Sequence, residues 1–290
     1  MEKYIAFIFC FIITVGYSQI NHPKASPFSR IEQEVGLSKI TIKYSRPAVS
    51  GRKIFGDQSN GQESLVPYGR IWRVGANEST KITVDSDIEV MGNILPKGAY
   101  ALYAFPQLDS WEVVFHKNTS HWGDGRNAYD SNEDVFRVTV VPEKTTSFQE
   151  NFLITFDGID YNSANMVWLW EHTKITIPIT VDTDALMQEE IAMQLKENPT
   201  AQTYYEAARY FQEQEKEYPR ALEYLSKAIE LGGDTYYFHR VKSLVEAALG
   251  DYKAAIGSAK KSLKLANAED KDEFVRLNQK NINAWKELID

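Results

Sequence analysis

Cysteine is almost missing from this chain of 290 residues: the single thiol is Cys10, inside the first apolar segment. Disulfides, thiolate metal sites and a cysteine nucleophile are thereby excluded from everything after residue 18. Long apolar runs are missing too. The most apolar stretch, Ile5 to Val15, is interrupted by Thr14 and is shorter than the ~20 residues that span a bilayer as a helix. Positive charge is in deficit, with 32 Lys and Arg against 40 Asp and Glu and a formal net charge of -8. The electrostatic footprint of a general nucleic-acid binder is therefore absent, and no nucleic-acid partner is expected. The balance of residue types also excludes collagen-like, disordered and disulfide-scaffold chains.

What is present is a globular composition, 43% apolar and 12% aromatic, long enough for two ordinary domains. Lys3, the apolar run after it and the exit Gly16-Tyr17-Ser18 have the layout of a cleaved secretory signal. Phe9 precedes Cys10 where a lipoprotein signal would place a small residue. Residues 1–18 are expected to be removed, giving an exported, periplasmic or extracellular mature chain with no transmembrane segment. An uncleaved N-terminal anchor is the alternative. Without disulfides, the exported chain needs a true hydrophobic core.

The mature chain divides near residue 182, into 19–182 and 183–290. Before that point the apolar period is two: Ile40, Ile42 and Tyr44 alternate with polar residues, as do Ile175, Ile177, Ile179 and Val181. Further strands are expected at Ile71 to Val74, Lys81 to Val84, Ala99 to Phe105, Trp111 to His116, Val135 to Val141, Phe152 to Phe156 and Val167 to Glu171. Turn signals at Met91-Gly92-Asn93, Pro96-Lys97-Gly98 and Asp157-Gly158 separate some of them. Short strands with short turns and no helical period between them favour an antiparallel β-sandwich or barrel.

After residue 182 the period is helical. Tyr218, Ala221, Leu222, Leu225, Ile229 and Leu231 recur 34 residues later as Tyr252, Ala255, Ile256, Ala259, Leu263 and Leu265. Paired helices are expected over Ala201 to Gln214 with Pro219 to Leu231, and over Thr235 to Leu249 with Tyr252 to Leu265, then a terminal helix from about Asp272 to Leu288. Pro219 suits a first turn and Gly232-Gly233 a helix stop. The period of 34 and the run Gly250 to Ile256 resemble tetratricopeptide repeats, although the first pair departs from consensus spacing by one residue. Such pairs usually stack into a concave surface for a peptide or protein partner. The alternative is that the helices only cover a face of the β domain.

The β half carries a second resemblance. Arg46-Pro47, Gly51 to Gly56, Pro67 to Thr80, Leu95 to Tyr100, Trp111 to Phe115, Trp122-Gly123 with Tyr129-Asp130, and Asp134 to Val138 form an ordered string of motifs. Over about residues 25 to 181 the chain resembles the domain of unknown function 2911 family. That resemblance implies an exported envelope protein of the kind common in Bacteroidetes, some members being followed by helical repeats. It implies no reaction.

Two constellations carry chemistry. In the first, Arg46, Arg52, Arg70 and Arg73 occur with Tyr44, Phe55, Tyr68 and Trp72, and Asn77 and Glu78 follow at a turn. Guanidinium forks grip carboxylates or phosphates in two-point contacts and aromatic faces stack on sugar rings, which suits an acidic glycan or an anionic small molecule. The competing reading is that these arginines pair with neighbouring acids and pack their stems on aromatics. The second is the polar stretch from His116 through His121 and Trp122 to Arg126, ending at Tyr129-Asp130, read as a surface loop after a strand. His116 and His121 with Asp124 or Asp130 have the chemistry of metal ligands or a general base, but solvated loop histidines account for the same letters. No metal and no cofactor is assigned.

Other signatures are missing: there is no Gly-x-Ser-x-Gly elbow, no phosphate-binding loop and no dinucleotide glycine motif opening a helix. Asp85 with Asp87, or Glu133 with Asp134, would serve as a glycosidase pair only if held across a cleft, and adjacent acids near turns are more often solvated. Trp168 and Trp170 share a strand face and are expected to cover the core sooner than to form a sugar platform. The expectation is an exported, non-catalytic ligand-binding or scaffolding protein. Its ligand-binding residues are taken from Arg46, Arg52, Trp72, Arg73, Asn77, Glu78, His116, Trp122, Tyr129 and Asp130. A hydrolase acting on a glycan or other anionic substrate at the Arg/Trp face is the alternative.

Overall fold

The computed structural model describes residues 22–58, 63–123 and 128–289. It divides into two compact units between Val181 and Asp182, antiparallel β sheets followed by six helices. The strands are β1 (Phe28–Val35), β2 (Ser38–Ser45), β3 (Phe55–Gly56), β4 (Val66–Pro67), β5 (Thr80–Val84), β6 (Ile88–Val90), β7 (Asn93–Leu95), β8 (Gly98–Pro106), β9 (Trp111–His116), β10 (Asp134–Val140), β11 (Glu143–Asp157) and β12 (Ser163–Thr180). One sheet of six has the order β1-β2-β5-β8-β9-β10 and one of four the order β11-β12-β6-β7. All their pairings are antiparallel, while β3 and β4 form a short parallel pair.

The two sheets share one core because period two sends alternate side chains to the same face. Ile40, Ile42 and Tyr44 of β2 and Ile175, Ile177 and Ile179 of β12 all lie in it. Trp72, Trp111, Phe152, Trp168 and Trp170 form its aromatic centre, with Trp72 stacked on Trp170 at 5.9 Å between centroids. Trp168 and Trp170 are thus buried in the core and offer no platform to a sugar. The Tyr44 hydroxyl ties the sheets together, accepting from Ile154 N at 3.0 Å and donating to Ile154 O at 3.3 Å.

Several strand expectations need correction. Ile71 to Val74 is no strand: Trp72 alone bridges Ala104, and the chain turns at Val74 (φ 55) and Gly75 (φ 137). The segments expected at Val167 to Glu171 and Ile175 to Val181 belong to one strand, β12. A register shift opposite Glu171, which has φ 55, moves the inward side chains from even positions (Trp168, Trp170) to odd ones (Ile175, Ile177), as a bulge does. β1 escapes the pattern because Ile31 and Val35 are the only apolar residues on its inward face.

The outer face of the six-stranded sheet is not bare. Ala101 and Tyr103 of β8 and Val114 of β9 are fully buried there, with Ile71, Phe105 and Tyr129 packed against them. Tyr129, from the connection between β9 and β10, therefore lies over the sheet, and that placement builds one of the sites below.

The helices are α1 (Thr183–Glu197), α2 (Ala201–Glu213), α3 (Tyr218–Glu230), α4 (Tyr236–Ala248), α5 (Tyr252–Ala268) and α6 (Asp272–Lys286). From α2 onward each packs on the next. Pro219 sits in the first turn of α3, and Gly232, with φ 97, follows its end. Ala221 and Leu225 of α3, and Ala255 and Ala259 at the equivalent places of α5, are all fully buried. No helix was expected at α1, which buries only Thr183 and Ile191 and so shows little apolar period. Asp184 anchors it instead, accepting hydrogen bonds from Tyr210 and Lys216. Among the described residues no helix is long and apolar enough to cross a membrane.

Candidate functional site

The arginines reach their places from loops, and Arg46, Arg52 and Arg73 are held by backbone carbonyls. Pro47 to Val49 zips onto β11, with Val49 N donating to Glu150 O and Phe152 N to Pro47 O. The turn that follows lets Arg52 donate from Nε to Val49 O at 3.1 Å and from a terminal nitrogen to Ala48 O at 2.5 Å. Arg73 leaves the chain just before the left-handed Val74 and donates to Asn77 O at 2.8 Å. Arg70 follows the Gly69 turn, its guanidinium is exposed, and it has no side-chain partner among the described residues. The acid pairing expected of these arginines is not what holds Arg52 in place.

Arg52, Arg70 and Arg73 line one cavity of about 430 Å³, together with Ser26, Ser50 and Gly75 and, at its inner wall, Trp72 and Trp170. This volume lies within the range of small-molecule sites. The lining holds three guanidinium groups and, among the described residues, neither a carboxylate nor a histidine. Its shape depends on Gly75, where a Cβ would stand 2.8 Å from Ser45 O.

The other residues expected on this face lie elsewhere. Arg46 turns across to β11 and donates from Nε to Phe152 O at 2.9 Å, so it clasps the two sheets and does not line the cavity. Asn77 takes φ 64 and donates to Ser26 O and Ser45 Oγ. Glu78 pairs with Lys81 at 2.6 Å, and that cation holds its carboxyl below the usual glutamate range. Asn77, Glu78 and Trp122 border a smaller cleft of about 130 Å³ with Lys24, Lys43 and Lys81. Asp130 caps the 3-10 turn Ser131–Glu133 by accepting from Asn132 N, a structural duty. Asp85 and Asp87 accept from the backbones of Lys39 and Lys97 and hold turns rather than reacting groups.

The histidine expectation fails on burial. His116 ends β9 on its outer face and is fully buried, and His121 is 9% exposed, so neither is a solvated loop side chain. Tyr129 stacks on His116 at 5.0 Å and donates to both oxygens of Asp134 at 2.8 Å. Burial, then the Asp134 hydrogen bond, pushes the Tyr129 phenol well above the ordinary tyrosine range. Asp134 also accepts from Arg137 Nε at 2.9 Å and lies 3.0 Å from His116 Nδ1. It is therefore no solvated acid. Asp124 lies outside the described residues.

Asp134 and Arg137 stand three residues apart, a spacing that puts side chains on opposite faces of a regular strand. A one-residue bulge resolves this: Asp134 pairs with His116 but Phe136 pairs with Phe115, leaving Val135 extra. The bulge turns Asp134 to the outer face beside His116. Glu133, just before it, completes a group with His116 and His121 whose ligand-type atoms all lie within 4.8 Å of one another.

Two antiparallel sheets about one core, with a basic loop-built cavity at the side and a helical unit following in sequence, define the class of protein. The family described as protein of unknown function, DUF2911, matches residues 26–179, just over half of the chain, and the chain belongs to it. No curated protein matches the sequence.

Proposed function

We propose that this protein is an exported ligand-binding module whose β unit takes an anionic ligand, an acidic glycan or a small phosphorylated or carboxylated molecule, in the arginine-lined cavity. The observation that carries this is the convergence of Arg52, Arg70 and Arg73 above two tryptophans. Guanidinium groups charged at every physiological pH suit that chemistry. The lack of a carboxylate or histidine in the described lining favours binding over the hydrolase alternative, since glycoside hydrolysis needs two carboxylates across the bond. In the helical unit, the buried positions of α3 and α5 standing 34 residues apart support a tetratricopeptide-like repeat. We read that unit as the place for a protein or peptide partner.

Calorimetric titration against acidic oligosaccharides and phosphorylated metabolites tests the cavity. Arg70→Ala and Arg52→Ala should each weaken binding about tenfold or more, the loss of one charge-assisted contact. Arg70→Ala should leave stability within ~0.5 kcal/mol, as an exposed substitution does. If no anion binds, or binding ignores both substitutions, the reading is wrong. Export is tested separately by mass spectrometry of fractionated native cells. A mature N-terminus near Gln19 outside the cytoplasm is expected, and intact Met1 on soluble cytoplasmic protein would contradict it.

A further inference from the structure

We propose that His116, His121 and Glu133 bind a divalent transition-metal ion of the zinc class on the outer face of the six-stranded sheet. The site is independent of the arginine cavity. Its ligand-type atoms already lie within 4.8 Å of one another, and each histidine has one ring nitrogen engaged and the other left over.

His116 decides the matter. Its Nδ1 lies 3.0 Å from Asp134 Oδ1. An ionised carboxylate only accepts, so in the neutral ring Nδ1 carries the proton and Nε2 presents its lone pair. That Nε2 is fully buried and has no hydrogen-bond partner. Glu133 Oε2 is 3.4 Å away, inside ion-pair range yet making no hydrogen bond. A buried nitrogen lone pair facing a carboxylate oxygen is unfavourable unless something positive sits between them. The distance itself suits a metal. Ligand atoms 2.0–2.2 Å from a tetrahedral zinc stand about 3.4 Å apart.

His121 repeats the pattern. Tyr103 OH lies 3.1 Å from its Nδ1, which leaves Nε2 as the donor atom. Metal-bound histidines characteristically engage their second nitrogen in this way, which fixes tautomer and ring orientation. Half-exposed Glu133 has the freedom to close the remaining gap. Two imidazoles and one carboxylate suit zinc and its neighbours better than magnesium or calcium, which prefer all-oxygen shells. Three protein ligands leave a fourth position for water or an anionic group.

A competing reading is a plain histidine-glutamate ion pair with no metal affinity. Full-length chain, stripped with chelator, would be titrated with zinc and cobalt ions by calorimetry, and the visible absorption of bound cobalt recorded. Expected is one ion per chain, a tetrahedral cobalt spectrum, a higher melting temperature with zinc and no such response to magnesium. Glu133→Gln, at a half-exposed position, should weaken zinc binding at least tenfold. His121→Ala should abolish stoichiometric binding. If that variant fails to fold, Glu133→Gln and the cobalt spectrum still decide. No binding at micromolar zinc overturns the proposal. So does binding that Glu133→Gln leaves unchanged, because the ion would then sit at other histidines.

Discussion

Trp72→Ala should lower the stability of the β unit by about 3 to 5 kcal/mol, the usual cost of deleting a buried tryptophan side chain. In a domain of this size that corresponds to a fall in melting temperature of roughly 6 to 20 °C. Trp72 is 5% exposed and touches Phe55, Trp111, Phe152, Trp168 and Trp170, so no neighbour can collapse into its place without disturbing several rings. Its Nε1 also donates to Gly75 O at 3.2 Å, a bond that helps shape the turn beside the arginine cavity. Trp122→Ala is the control. That ring is 72% exposed, and its loss should change stability by no more than ~0.5 kcal/mol. Thermal melts of the two variants check both numbers, and a neutral Trp72→Ala would mean that the sheets do not meet around this ring.

Asp134→Asn should cost about 2 to 3 kcal/mol with chelator present, so that metal binding contributes nothing. The carboxylate serves three neighbours: Tyr129 OH, Arg137 Nε and His116 Nδ1. Asparagine has one acceptor oxygen, and its NH2 must turn towards at least one of these donors. Hydrogen bonds to charged groups are worth about 1.5 to 3 kcal/mol, and a stranded buried donor adds its own desolvation penalty. Asp130→Ala, only four residues earlier, removes a single cap on a 3-10 turn and should cost about 1 kcal/mol. Urea unfolding of both variants separates the two duties. If Asp134→Asn is no worse than Asp130→Ala, the buried constellation around His116 is looser than its hydrogen bonds imply.

Much of the fold is legible in the sequence wherever inward side chains are apolar and regularly spaced. β2 shows clean alternation, β8 and β9 are apolar runs buried on both faces, and α3 shows both period and a stop signal while α5 shows its period. β1 and α1 do not, because β1 turns only Ile31 and Val35 inward among its apolar residues and α1 buries only Thr183 and Ile191. The cavity was half legible. Arg52, Arg73 and Trp72 belong to it, but Arg46 looks the same in sequence and points at a carbonyl of β11. Arg70 reads like its neighbours, and only its lack of a partner among the described residues marks it out. His116 misled for a different reason. The last residue of a strand reads as the first of a loop, while the covering Tyr129 lies thirteen residues further on. A surface acid at Asp134 and a buried hub at Asp134 have the same letters.

The bulge at Val135 means that the constellation on the outer face is written in the register of the strand as well as in its residues. If the same residues paired without the bulge, placing Val135 opposite His116, every side chain of the cluster would survive, but Asp134 would turn towards the space between the sheets and leave His116 without its carboxylate. A relative could thus retain the histidines, the tyrosine and both acids and still lack the arrangement. Aligned letters alone would not distinguish the two arrangements; the pairing of one strand would.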